Sequence, residues 1–188
     1  MLGESPARRI LPSDVELSNL VQRRWLDLAR WLRSFIYSEI LNLGNREATE
    51  ARLNQIADDA SSFYAQYYSP EVGVSAGTIY RNYFAHVKGL IEAYKNNDMA
   101  LIQQQRYAMY KDSYDLSKLF SQMNRYWDQA TLQALFNVLV DNTEKQIQYI
   151  INGNYEEEIA AYDQYVDQIY RIADEITYGL LRQFDIPR

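Results

Sequence analysis

The feature that most constrains this chain is a long run, residues 71–186, that contains no proline. Glycine is also scarce, at 7 of 188 residues. Both residue types interrupt helices, so a chain that nearly lacks them over this length can form long helices. Apolar residues in the run recur every three or four positions and rarely alternate with polar ones. We therefore predict an all-α fold, an antiparallel bundle of about six helices without a sheet.

The clearest helical pattern lies near the C-terminus, where apolar residues recur at alternating intervals of three and four. This is the heptad spacing by which helices pack lengthwise against one another, and it predicts a continuous buried seam. The predicted seam comprises Ile159, Tyr162, Val166, Ile169, Ala173, Ile176 and Leu180.

Polar residues between the apolar series predict where helices begin and end. Asn45, Asp98 and Asp128 are predicted N-caps because their side chains can accept a hydrogen bond from the first helical turn. Gly44 is a predicted C-cap. Each cap follows or precedes a periodic segment, so the turns between helices are expected to be short.

The predicted turns divide the chain into three helical hairpins. The glycine-bearing segment 73–77 (GVSAG) is predicted to be a loop, and the third helix is expected to start near Ser75. The predicted organisation is a tail at residues 1–12 and a single domain at 13–188, with hairpins at 13–69, 75–123 and 128–184.

The hairpins resemble copies of one unit. Tyr68, Tyr126 and Phe184 stand at a constant spacing of 58 residues, each at the end of the second helix of a hairpin. A fixed period of this size is typical of stacked supersecondary units. Chance likeness between amphipathic helices is the alternative.

Composition and charge exclude several classes of protein. The net charge is −6, whereas nucleic-acid binding needs a basic surface, so we expect no nucleic-acid partner. The chain has no cysteine and therefore no disulfide framework or thiolate nucleophile. Residues 1–12 lack the apolar run of a signal peptide, and no transmembrane segment is predicted. We expect a soluble protein, cytoplasmic or incorporated into a particle.

Several short motifs, taken in order, resemble a family of small helical proteins from spore-forming bacteria that are often mislabelled as acetylglutamate kinase. In that family, the third and fifth helices each carry a histidine that faces the bundle. In this chain the two histidine positions are occupied by Tyr83 and Leu139. The resemblance therefore implies the fold but no activity. The matching segments are 31–36 (WLRSFI), 67–68 (YY), 124–127 (NRYW), 152–155 (NGNY), 172–174 (IAD) and 182–184 (RQF).

Catalytic and cofactor motifs are missing from the sequence. His86 is the single histidine, and residue 83 is tyrosine, so the Glu-x-x-His pair of a di-iron bundle is not formed. No glycine-rich phosphate loop matches the nucleotide-binding patterns. We expect no enzyme activity and no cofactor, and we expect His86 to be solvated or at the edge of the core.

Three aspartates, Asp58, Asp115 and Asp174, recur ten or eleven residues before the aromatic end of each hairpin. If they converge, they could bind a metal ion or share a proton. The alternative is a structural role, in which each accepts hydrogen bonds from its neighbours. A small-molecule or metal site in a polar Asp/Tyr pocket between hairpins is the alternative function.

Tyrosine is unusually abundant, at 17 residues. Tyr107, Tyr110 and Tyr114 share one face of a predicted helix, and tyrosine is enriched in protein interfaces. Alternatively, these side chains pack in the seams between helices or line a small-molecule cavity. Our leading hypothesis is a non-catalytic structural or protein-interaction bundle that self-associates or docks to a protein partner. It could be a component of a larger assembly, such as a spore layer or a virion.

Overall fold

The computed structural model describes residues 12–184, about nine-tenths of which are helical. That part of the chain contains no β-strand, so the all-α prediction is confirmed. None of its helices combines the length and the apolar character needed to cross a membrane. The six helices are α1 (Pro12–Ile40), α2 (Arg46–Tyr67), α3 (Pro70–Lys95), α4 (Met99–Met123), α5 (Gln129–Ile151) and α6 (Tyr155–Phe184).

Three helices form the centre of the bundle, and the other three surround them. Helices α1, α3 and α5 contact one another, and each even-numbered helix packs between two odd ones. α2 lies against α1 and α3, α4 against α3 and α5, and α6 against α5 and α1. The contact pattern therefore repeats three times around the bundle, in agreement with three hairpins. α2, α4 and α6 occupy equivalent outer positions.

Two of the predicted N-caps form as expected. The carboxylate of Asp98 accepts a hydrogen bond from the Leu101 amide at 3.0 Å, and that of Asp128 accepts one from the Thr131 amide at 2.8 Å. Each bond satisfies a backbone donor that has no partner within the helix.

The turn after α1 differs from the prediction. Gly44 was expected to be the C-cap, but Asn42 adopts the left-handed conformation, with φ 58°. The amide of Leu43 then donates to the carbonyl of Ser38 at 3.0 Å, which closes the last turn of the helix. Asn45 does not cap α2 with its side chain; its Oδ1 accepts a hydrogen bond from the Ser38 hydroxyl at 3.0 Å.

The third helix starts earlier than the predicted Ser75. α3 begins at Pro70, with Ser69 as its N-cap, because proline is well suited to the first helical position. The segment 73–77, which was expected to be a loop, lies inside α3. A Cβ atom on Gly73 would lie 2.4 Å from the Ser61 carbonyl oxygen, so this glycine allows α2 and α3 to approach closely.

Aromatic residues at or next to the ends of the three hairpins meet at one end of the bundle. The ring centroid of Tyr68 lies 5.2 Å from that of Phe184 and 6.1 Å from that of Trp127. Trp127 is 2% exposed, and its indole N–H donates to the Glu175 carbonyl at 3.0 Å. Two of the repeat positions, Tyr68 and Phe184, thus share one aromatic cluster with Trp127, whereas the third, Tyr126, packs against the guanidinium groups of Arg125 and Arg182.

Three members of the predicted α6 seam are not fully in the core: Ile159 is exposed, and Tyr162 and Val166 are partly buried. Ile169, Ala173, Ile176 and Leu180 are fully buried, but Ile159 is 52% exposed. The preceding residue, Glu158, takes the inward position in that turn and is fully buried. A buried ion pair replaces apolar packing there.

Replacing Gly179 with alanine should lower the free energy of unfolding by about 2 kcal/mol, the usual cost of overpacking a core. A Cβ atom at this position would lie 1.9 Å from Nε1 of Trp127, and this clash outweighs the gain of about 1 kcal/mol in helix propensity. Urea denaturation measures the change. Gly44→Ala is the control, because no atom lies within 4 Å of its added Cβ. Equal stability of the two variants would contradict the expectation.

Candidate functional site

The outward side of α4 exposes apolar side chains that the core does not use. Ile102, Met109 and Phe120 point inward, which directs the opposite side of the helix to solvent. On that side Tyr107 is 74% exposed and Tyr114 is 42% exposed. Lysines alternate with the two tyrosines along the same ridge. We call this surface the α4 face, and it consists of Met99, Tyr107, Lys111, Tyr114 and Lys118.

A groove of about 400 Å³ runs beside the α4 face, between α4, the end of α3 and α5. Its floor is a network built on Glu144, which is 6% exposed. The Glu144 carboxylate accepts a hydrogen bond from the Tyr94 hydroxyl at 2.7 Å and forms an ion pair with Arg106, whose Nε lies 3.1 Å from Oε2. Burial and the neighbouring Glu144 raise the pKa of Tyr94 above its ordinary value. The groove is lined by Tyr94, Met99, Ile102, Gln103, Arg106, Tyr107, Tyr110, Glu144 and Gln148.

The three tyrosines that shared a predicted face have different surroundings. Tyr107 and Tyr114 are exposed, whereas Tyr110 is half-buried and donates a hydrogen bond to Asp141 on α5. Burial, and secondarily this bond, raise the pKa of Tyr110. Tyr110 therefore anchors α4 to α5, and two of the three tyrosines remain available for contact.

The three repeated aspartates do not converge. Asp58 on α2 pairs with Arg81 on α3, and Asp115 pairs with Lys111 within α4. Asp174 on α6 accepts a hydrogen bond from Gln22 on α1 at 3.3 Å. Between residues 12 and 184, no three side chains among histidines, aspartates and glutamates are placed to hold a metal ion. Each aspartate has its own local partner, as the structural alternative predicts.

His86 forms a pair that the sequence did not reveal. Its Nδ1 lies 2.6 Å from Oδ2 of Asp112, a carboxylate on α4 that is 5% exposed. Burial raises the pKa of Asp112, and the bond to His86 partly opposes that effect. The imidazole is half-buried, so the pair links the surface to the interior of the bundle.

The interior next to Asp112 contains a cavity of about 50 Å³ where all three central helices meet. Its aromatic lining consists of Trp25, Tyr80, Tyr83, Phe84, Phe136 and the buried Tyr165. The Tyr165 hydroxyl makes no well-formed hydrogen bond within the described residues. A cavity that admits benzene has about 150 Å³, so this one has room for no more than one or two water molecules.

An ion pair on a fully buried carboxylate joins the first and last helices. Arg33 donates two hydrogen bonds to Glu158, at 2.8 and 2.6 Å, and Tyr37 donates a third to the same carboxylate at 2.8 Å. The Glu158 bond, more than any other contact, raises the pKa of Arg33. Burial, followed by the contact with Glu158, raises the pKa of Tyr37 to about 12. These three hydrogen bonds hold α1 against α6.

Sequence reasoning missed the buried carboxylates Asp112, Glu144 and Glu158. No local signal marks Asp112 or Glu144, since each stands within an ordinary amphipathic helix. Glu158 lies in the acidic first turn of α6 (residues 156–158). The helix dipole favours negative charge at this end of any helix, so the acidic run does not indicate a buried residue. The neighbouring Ile159 gives no signal either, since its spacing places it in the predicted apolar seam.

The family resemblance expected from the short motifs stays a prediction. Compared with protein-family models, curated proteins and solved structures, this chain gives no match.

Proposed function

We propose that this chain is a non-catalytic protein-interaction bundle and that its contact surface is the α4 face with the adjoining groove. The observation that carries the proposal is the exposure of Met99 and Tyr107, at 66% and 74%, on one side of an otherwise well-packed helix. Large exposed apolar side chains that cluster on one surface are typical of interaction sites.

A comparison with α2, in an equivalent outer position, supports this choice of surface. The outward positions of α2 are occupied by small or polar residues such as Ala51, Asn54, Gln55 and Gln66. No large apolar side chain of α2 is exposed. The third outer helix, α6, exposes Tyr170 and Tyr178, so exposed tyrosines differ among the outer helices and are not a requirement of the outer position.

The groove beside the tyrosines is preorganised. Gln148 donates to the Tyr94 hydroxyl, and Tyr94 in turn donates to Glu144, so the floor is held by side chains from α3, α4 and α5. A partner that docks there does not need to order these groups, and a rigid floor reduces the entropic cost of binding. Tyrosine adds large contact area with few rotatable bonds.

The alternative function, a small-molecule or metal pocket, has weaker support. The interior cavity has only about 50 Å³, and the aspartates proposed for a metal site lie on separate helices with separate partners. A role in a larger assembly is compatible with contact through α4.

Capture of partners from an extract of the cells that make the protein tests the proposal. The double variant Tyr107→Ser with Tyr114→Ser should retain at least tenfold less of each specific partner than the unaltered chain, because interface tyrosines commonly contribute more than ~1 kcal/mol each. The matched control changes two exposed positions of α2, Asn54→Ser and Gln66→Ser, and should capture as the unaltered chain does. Circular dichroism confirms that both variants are folded. Equal capture by the α4 variant and the control would disprove the proposal.

A further inference from the structure

We infer that the partner of the α4 face is the outward side of α6 in a second copy of this chain, so that copies associate head to tail. The inference rests on the proposed function and names the partner for that surface. We call the outward side of α6 the α6 face, and it consists of Ile159, Asp163, Asp167, Tyr170, Asp174 and Tyr178.

The charges of the two faces are complementary. Helix α6 carries seven acidic residues and two arginines, and among the acidic residues only Glu158 is buried within the described fold. Helix α4 exposes Arg106, Lys111 and Lys118; of these, Lys111 shares an exposed ion pair with Asp115 on the same helix and Arg106 pairs with Glu144 of the groove, while the buried Asp112 is paired with His86. A basic ridge on a chain of net charge −6 is suited to an acidic surface, and this chain itself presents one.

Both faces also offer apolar contact area. Ile159 is 52% exposed, Tyr170 is 41% exposed and Tyr178 is 48% exposed. Ile159 belongs to the apolar seam by sequence, yet the core does not use it. The α6 face is therefore an apolar surface flanked by carboxylates, and the α4 face is a pair of tyrosines flanked by lysines. Apolar groups can contact apolar groups while the opposite charges pair.

The spacing of the charged groups matches as well. Lys111 and Lys118 are seven residues apart, and so are Asp167 and Asp174. Seven residues are two helical turns, about 10.5 Å along the axis. Two helices laid side by side can therefore place both lysines opposite both carboxylates in a single register.

The arrangement of the bundle favours contact between unlike faces. An α4–α4 contact would oppose lysines to lysines, and an α6–α6 contact would oppose carboxylates to carboxylates. Helix α5 packs between α4 and α6, so the two faces of one copy lie on different sides of the molecule. A contact between unlike faces leaves one of each kind free, and it therefore continues into a ring or a filament.

Charge reversal in the purified full-length chain tests the inference. Light scattering after size exclusion should show the unaltered chain above its monomer mass of 22.1 kDa, with mass rising with protein concentration and falling between about 0.05 and 0.5 M salt. The α4 variant (Lys111→Glu with Lys118→Glu) and the α6 variant (Asp167→Lys with Asp174→Lys) should each associate at least tenfold more weakly. An equimolar mixture of the two should associate again, because each altered face then meets an oppositely charged one.

The matched control reverses two exposed charges on α2, Glu47→Lys with Asp58→Lys, and should associate as the unaltered chain does. A monomer at every concentration and at low salt, or a mixture that stays monomeric, would overturn the inference. If the purified chain is monomeric while capture from the extract still depends on Tyr107 and Tyr114, the partner is another protein and the proposed function survives. If neither association nor capture responds to changes in α4, both proposals fail.

Discussion

Replacing Arg33 with alanine is expected to lower the free energy of unfolding by about 3 kcal/mol. The side chain of Glu158 is fully buried and receives two hydrogen bonds from Arg33, so the substitution leaves a buried carboxylate with only Tyr37 as its partner. Removing one partner of a buried ion pair usually costs about 3 to 5 kcal/mol; the remaining Tyr37 bond and the 29% exposure of the Arg33 side chain, which lets water reach the site, favour the lower end. Urea denaturation followed by circular dichroism measures the loss.

Two controls separate the buried charge from ordinary loss of contact. Arg81→Ala breaks the Arg81–Asp58 pair, whose side chains are 43% and 65% exposed, and should cost no more than about 1 kcal/mol. The double replacement Arg33→Met with Glu158→Leu removes both charges and should recover most of the stability lost in Arg33→Ala. A loss in Arg33→Ala no larger than in Arg81→Ala would show that the buried pair is not a main constraint between α1 and α6.

Alkaline pH is expected to destabilise the protein steeply above pH 10. Burial raises the pKa of Tyr64, Tyr80 and Tyr165, which are 2%, 7% and 1% exposed. Above the ordinary tyrosine pKa of about 10, the unfolded chain loses these protons while the folded chain retains them. Stability therefore falls as pH rises, by about 1.4 kcal/mol per tyrosine at pH 11, or about 4 kcal/mol for the three.

Urea denaturation at pH 8, 10 and 11 measures this dependence, and tyrosinate absorbance near 295 nm follows ionisation directly. The late part of the absorbance change should coincide with the loss of the helical circular dichroism signal. Tyr165→Phe is the matched variant; it should reduce the loss at pH 11 by about 1.4 kcal/mol, the contribution of one tyrosine, and leave stability at pH 8 equal or higher, because it removes a buried hydroxyl without a well-formed hydrogen bond. Ionisation of all tyrosines with the helices intact would refute the account.

The elements that could be predicted were those set by near neighbours in the chain. Asp98 and Asp128 cap their helices because a cap needs only its own side chain and an amide three residues on. The seam from Ile169 to Leu180 is buried because its spacing matches the helical period. The position of the turn after α1 was predicted, but the residue that ends the helix was not. Both Asn42 and Gly44 suit such a turn. The choice between them depends on the hydrogen bonds that Ser38 makes with Leu43 and Asn45.

The candidate site was predicted only in part. That Tyr107 and Tyr114 share a helix face follows from their spacing of seven residues, whereas the inward turn of Tyr110 depends on Asp141, a residue on another helix. The sequence does not predict that Glu144 and Arg106 form the floor of a groove, because the two residues pair between different helices. The equivalence of the three aspartates in the repeat did not bring them together, since they lie on outer helices whose backbones do not touch.

By itself, the sequence determined six helices, their pairing into hairpins and the aromatic ends that recur with the repeat, because these depend on periodicity and on contacts within a few residues. Only the tertiary structure decided which charges are buried and which apolar residues are left outside. Glu158 meets Arg33 across 125 positions of the chain, and Ile159 is exposed because that pair occupies the interior. The physical reason is that a charged side chain can be buried only next to an opposite charge or a hydrogen-bonding group. Which groups become its neighbours depends on how the helices pack.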